Sequence, residues 1–132
     1  MTLEHVALWT ENLNGLKDYY CNFFKGNANE LYRNLKTGFE SYFISFDSGA
    51  RLEIMQRPGI PANLNDRKTK QHIGLIHLAF GMESKEAVDQ MAQKLSSNGF
   101  EILRGPRTTG DGYYEFETLD PDGNRIEVIF KN

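Results

Sequence analysis

The stretch LEHVALWT at residues 3–10 returns in altered form as GLIHLAFGM at 74–82. Both are short apolar runs of strand type, and each is followed by a polar start and a helical pattern of apolar residues. In the first copy the pattern runs from about Asn12 to Phe24, with Leu13, Leu16, Tyr20, Phe23 and Phe24 at helical spacing, and stops at Gly26. In the second copy Ser84 can cap, and Val88, Met91, Ala92 and Leu95 form an apolar stripe that stops at Gly99. Gly26 and Gly99 are expected as equivalent helix C-caps.

Three further strand segments follow each helix, at 29–35, 40–47 and 50–56 in the first half and at 101–106, 113–120 and 124–130 in the second. Each half therefore reads β-α-β-β-β. The turns agree as well, because DSGARLEI from Asp47 aligns with DPDGNRIEV from Asp120 once one residue is inserted. Residues 57–71, RPGIPANLNDRKTKQ, hold two prolines, a glycine and a mixed-charge run. They are the expected linker between module 1 (1–56) and module 2 (72–132) of a single domain. The expected fold class is α+β, with two βαβββ modules forming a curved, incompletely closed mixed sheet.

A chain of 132 residues with 39% apolar and 25% charged residues has the balance of one compact domain that builds its core without disulfides. The single cysteine, Cys21, cannot form an intrachain bridge. No segment approaches the roughly 20 apolar residues that span a bilayer, so no membrane partner and a cytoplasmic location are expected. A net charge of −3 with scattered basic residues argues against nucleic acid.

Alternation along the strands shows where chemistry can sit. Leu52 and Ile54 share one face while Arg51, Glu53 and Met55 share the other, and Ile126, Val128 and Phe130 stand against Arg125, Glu127 and Ile129 in the same way. The apolar face should take the helix. His5 keeps parity with Ala7 and Trp9, and His77 with Ala79 and Gly81, so each module offers one histidine and one glutamate at matching places. A lone strand histidine is usually a core residue and a lone strand glutamate usually faces solvent. The fourfold coincidence of His5, Glu53, His77 and Glu127 across a repeat favours a metal site, for which two nitrogens and two carboxylates suit Ni²⁺, Zn²⁺, Co²⁺ or Mn²⁺. Trp9, Phe43, Tyr113 and Tyr114 are candidate pocket residues, against the commoner role of strand aromatics as core. His72 lacks a counterpart and reads as a surface residue.

These segments, H-V-A-L near the start, R-L-E-I, G-L-I-H-L-A-F and D-P-D-G-N-R-I-E-V, resemble the vicinal oxygen chelate superfamily over nearly the whole chain. Within it the order His, Glu, His, Glu is similar to glyoxalase I, the lactoylglutathione lyases. The resemblance implies that His5, Glu53, His77 and Glu127 bind the metal. It also implies that Glu127 shuttles a proton next to a metal-chelated carbonyl, with Glu53 as its counterpart. Trp9 stands where such enzymes commonly carry an arginine for the glutathione carboxylate, and Arg57 where they carry an asparagine. These two are therefore the expected substrate-binding residues, for another thiol adduct or small α-hydroxycarbonyl compound. A homodimer is the expected assembly. The alternatives are another enzyme of the superfamily, an epimerase or a dioxygenase, or a metal-free small-molecule-binding resistance protein.

Overall fold

The computed structural model describes residues 1–132. The chain divides into two compact units, Met1–Leu64 and Asn65–Asn132. Unit 1 runs β1 (His5–Trp9), α1 (Leu13–Phe24), β2 (Asn27–Ala28), β3 (Tyr32–Asn34), β4 (Phe39–Ser45) and β5 (Arg51–Gln56). Its sheet has the order β1-β5-β4-β2, with β3 also paired to β4. Unit 2 runs β6 (His77–Gly81), α2 (Lys85–Ser97), β7 (Ile102–Thr108), β8 (Tyr113–Leu119) and β9 (Arg125–Lys131), in the order β6-β9-β8-β7. In each unit the first and last strands pair in parallel and the rest antiparallel. The class is α+β, with one mixed, open sheet and one helix per unit.

The helices form where capping and apolar spacing agree. Asn12 accepts a hydrogen bond from the Gly15 amide at 3.0 Å, and Ser84 accepts one from Ala87 at 3.0 Å. From these starts Leu13, Leu16, Tyr19 and Tyr20 are buried in unit 1, together with Ile44, Leu52 and Ile54 of the sheet. Val88, Met91, Ala92 and Leu95 are buried in unit 2, together with Phe116, Ile126 and Val128. Each large apolar side chain so placed contributes about 1.5–3 kcal/mol of transfer free energy, and this is what fixes which face of each sheet stays open.

Three details differ from the sequence reading. Residues 29–35 are not one strand, because the Asn29 side chain accepts from the Phe43 amide at 2.9 Å and so interrupts the ladder between β2 and β3. Segment 65–71 is not free linker but part of unit 2: Arg67 donates to Asn124 Oδ1 at 2.9 Å and to the Asp122 carbonyl. The third difference concerns Gly26, which is not the left-handed residue at the end of α1, although its amide donates to the Tyr20 carbonyl at 3.1 Å.

Lys25 takes the left-handed conformation there, at φ 55° and ψ 29°, whereas in unit 2 the left-handed residue is Gly99, at φ 88°. Gly26 is glycine for want of space, since a Cβ on it would lie 2.5 Å from the Ile44 side chain. A non-glycine residue in the left-handed region is strained by about 1–2 kcal/mol. Lys25→Gly is accordingly expected to raise stability by about 0.5–1 kcal/mol in urea denaturation, the greater freedom of glycine in the unfolded chain offsetting part of the relief.

The D-P-D-G-N turn between β8 and β9 is held by its own side chains. Asp120 Oδ1 accepts from the amides of Asp122 and Asn124, each at 2.9 Å, and Asn124 Nδ2 donates to Asp120 Oδ2 at 2.8 Å. Gly123 supplies the positive φ, 80°, that closes the turn. This turn sets the entry of β9, and with it the place of Glu127.

Candidate active site

In unit 1 the parallel pair β1 and β5 sets His5 opposite Arg51 and Ala7 opposite Glu53. Directly opposed residues share a face. With Leu52 and Ile54 buried, Arg51, Glu53 and Met55 lie on the open face beside His5, Ala7 and Trp9. There His5 Nε2 stands 3.8 Å from Glu53 Oε1. Unit 2 repeats the construction: His77 is opposite Arg125 and Ala79 opposite Glu127, and His77 Nε2 stands 3.2 Å from Glu127 Oε2. The glutamate side chains are only 16% and 15% exposed, against 41% and 35% for the histidines. The carboxylates thus sit low, over the small Ala7 and Ala79, and the imidazoles rise beside them.

The two pairs have different neighbours. Opposite Glu53 is Phe43, whose ring meets His5 edge to face at 5.3 Å and carries the Arg51 guanidinium 4.1 Å above it. Arg51 also bonds Glu4, and Glu4 Oε2 lies 3.0 Å from His5 Nδ1. The Arg51 hydrogen bond holds the exposed Glu4 carboxyl below its usual range, and as a carboxylate it can accept a hydrogen bond from Nδ1–H. With the proton on Nδ1, Nε2 keeps its lone pair.

In unit 2 the place of Phe43 is taken by Glu117, directly opposite Glu127. Glu117 is buried and paired with Arg125 Nη1 at 3.1 Å and Arg104 Nη2 at 3.3 Å. Arg125 Nη2 further donates to the carbonyls of Arg67 and Lys68 at 3.0 and 3.1 Å. Burial, then the charges of Glu127 and Glu117, push the Glu115 carboxyl above its ordinary value. The alternation Y-E-F-E in β8 puts Glu115 and Glu117 on one face, and the register with β9 makes it the face of Glu127.

Trp9 and Arg57, expected as substrate contacts, meet each other: the Arg57 guanidinium lies 5.2 Å from the Trp9 ring centre. Trp9 meets Phe39 edge to face at 6.1 Å, and Phe39 meets Tyr32 at 6.1 Å. Tyr114 is on the other face, where its hydroxyl donates to Asp89 of α2 at 2.7 Å, so it does not line the open side. Tyr113 carries the Lys131 ammonium 4.6 Å over its ring. His72 is exposed, and Cys21 is a half-buried free thiol on α1.

Within either unit the grouping stops at a pair, and no three His, Cys, Asp or Glu side chains converge on one point. The donor chemistry of each pair nonetheless fits a divalent ion of borderline character, for it presents one imidazole nitrogen and one carboxylate oxygen together on an open sheet face. No thiolate competes for a softer metal.

A model of the glyoxalase/bleomycin resistance protein/dioxygenase superfamily matches residues 2–128. The chain belongs to that superfamily. The glyoxalase superfamily includes many enzymes and some non-enzymatic resistance proteins, commonly uses divalent metals, and has members that bind small molecules and often form dimers. An uncharacterized protein of Bacillus subtilis, YqjT, is 29% identical over 130 residues, which is 96% of this chain and 97% of that protein. A glyoxylase/bleomycin resistance protein/dioxygenase domain from Frankia superposes with a TM-score of 0.81 at 18% identity, covering 100% of this chain and 98% of that one. The trypanothione-dependent glyoxalase I of Leishmania major superposes with a TM-score of 0.75 at 16% identity, covering 99% and 87%. At such identities the two structures show a shared fold. No helix of the chain is long and apolar enough to cross a membrane.

Proposed function

We propose that the chain is a metal-dependent lyase or isomerase of the glyoxalase I type, which moves a proton between neighbouring carbons of an α-hydroxycarbonyl compound or hemithioacetal. The observation that carries this reading is the repeated His–Glu pair, at the same register in both units and with Nε2 turned to the carboxylate in each. His5 and Glu53 with His77 and Glu127 would hold one ion, Ni²⁺ or Zn²⁺ ahead of Co²⁺ or Mn²⁺. The two pairs would come from one chain or from both chains of a homodimer. When bound, such an ion supplies Lewis-acid stabilisation of the charge that develops on the substrate oxygens, worth several kcal/mol.

Glu127 takes the proton from the carbon beside the carbonyl and returns it to the adjacent carbon. A hemithioacetal so treated becomes a thioester with no net redox change. Glu53, its counterpart, serves the opposite face of the substrate. The low seat of each carboxylate, over an alanine, leaves a substrate carbon room to approach from above. The location that accords with this reading is the cytoplasm.

Metal loading tests the proposal. Protein stripped with EDTA and dialysed against Ni²⁺ or Zn²⁺ is expected to retain one ion per His₂Glu₂ set, by elemental analysis. His5→Gln and His77→Gln are each expected to lower metal affinity by about 100-fold or more, with the folded state intact by circular dichroism. Loaded protein should then isomerise hemithioacetals of methylglyoxal in a screen of thiols. Failure to retain any ion would overturn the reading in favour of a metal-free binding protein.

A further inference from the structure

We propose that Trp9, Tyr32, Phe39 and Arg57 form a subsite for an aromatic carboxylate, the arm of the substrate that does not react. The assignment rests on the reading of His5 and Glu53 as part of the reacting centre, and it adds the chemistry of what binds beside them.

All four residues belong to the open face of unit 1 or its rim. Trp9 is opposite Met55, Ser41 is opposite Met55 from the other side, Tyr32 is opposite Ser41, and Phe39 is two residues from Ser41 on the same face. The rings make a continuous chain, Trp9 to Phe39 to Tyr32, yet Trp9 is 39% and Tyr32 55% exposed. A core cluster would hide these rings, as α1 hides Tyr19 and Tyr20. An aromatic shelf left in water is a surface on which another ring can stack, a contact worth about 0.5–1.5 kcal/mol beyond the area it buries.

Arg57 gives the shelf its charge preference. Arg33 pairs with Glu40, Arg51 with Glu4, and Arg104 and Arg125 with Glu117. Arg57 has no carboxylate in reach, and its only contact of this kind is the Trp9 ring. A guanidinium laid on an indole keeps its fork of donors free and already oriented, which suits bidentate capture of a planar carboxylate. Position completes the assignment: Trp9 is four residues along β1 from His5, and Arg57 four residues beyond Glu53. At roughly 3.3 Å per residue both lie about 13 Å from the His–Glu pair. A molecule anchored here by ring and carboxylate has length left to reach the pair with its reactive end.

Trp9 is the chain's one tryptophan, so intrinsic emission reports on this subsite alone. Full-length protein stripped of metal should show a saturable change in emission with phenylacetate. Acetate, which has no ring, and benzyl alcohol, which has no charge, should each bind at least about tenfold more weakly. Arg57→Gln, at an exposed position that leaves the fold intact, should weaken phenylacetate about tenfold and leave benzyl alcohol unchanged; Arg57→Lys should fall between.

The proposal is overturned if phenylacetate gives no saturable change, if Arg57→Gln binds it as tightly as before, or if glutathione binds more tightly than phenylacetate. It is equally overturned if emission follows protein concentration and ignores phenylacetate, which would make the shelf a contact between copies of the chain. The titration uses neither metal nor turnover. A silent titration with normal metal loading therefore removes the subsite only, and a normal titration with failed metal loading removes the catalytic reading only.

Discussion

Replacing Glu127 by Gln is expected to lower turnover by about 10²- to 10⁴-fold while the protein stays folded. The magnitude is that of a positioned general base, and the reasoning is local. A carboxamide keeps the shape and hydrogen-bonding reach of the carboxylate but cannot accept the proton. Glu127 lies on the open face of its sheet, and its strand neighbours Ile126 and Val128 carry the burial against the helix side. Its removal as a charge also relieves the like-charge opposition to Glu117 across the strand pair, an arrangement that costs a few tenths of a kcal/mol or more. The thermal midpoint should therefore hold or rise slightly as the rate falls. Glu127→Asp should lose less than Glu127→Gln, because a shortened base still accepts a proton. Undiminished isomerisation of hemithioacetals by the Gln variant, measured at saturating metal, would remove Glu127 from the proposed proton transfer.

How much of this was legible beforehand follows from which interactions are periodic. The βαβββ repeat, the two helices and the face assignments of β5 and β9 all rest on alternation and helical spacing. Those patterns are written locally, and the structure buries Leu52, Ile54, Ile126 and Val128 as parity requires. The same parity brings His5 to Glu53 and His77 to Glu127. What escaped depends on contacts that no period announces. The break at Asn29 comes from one side chain taking a ladder donor, the cap at Lys25 from a lysine accepting a conformation glycine prefers, and the ordering of 65–71 from Arg67 reaching the β8–β9 turn. Tyr114, a pocket candidate weighed against a place on the core side, takes the helix side. It alternates with Tyr113, and only the register with β9 decides which of the two tyrosines faces the helix. Glu117 and Arg125 were visible as residues but not as partners, because a salt bridge between strands depends on pairing register rather than composition.

That pair supports the second large effect. Arg125→Met is expected to destabilise the protein by about 3–5 kcal/mol in urea denaturation, the range for breaking a buried ion pair from one side. Arg125 is 6% and Glu117 8% exposed, so loss of the guanidinium strands a carboxylate with little water to receive it. The carbonyls of Arg67 and Lys68 lose their donor at the same time. Two features hold the value toward the lower end of the range: Arg104, 3.3 Å away and half exposed, still faces Glu117, and the Arg125 Nε, buried without a partner, no longer has to be desolvated. Since Arg125 ties segment 65–71 to β9, amide exchange in that segment should speed up in the variant. Glu117→Leu placed in the same chain should restore much of the loss, because a buried pair replaced on both sides by apolar groups of similar volume is often neutral or stabilising. The register-equivalent change in unit 1 is the control. Arg51 occupies the same place relative to His5 as Arg125 does to His77, but its side chain is 39% exposed and its partner Glu4 58% exposed. A solvent-screened surface pair of that kind contributes little to stability, so Arg51→Met should cost far less than Arg125→Met. Equal costs at the two positions would show that burial is not what sets the strength of these arginines, and would remove the basis for treating the Glu117–Arg125 pair as the support of β9.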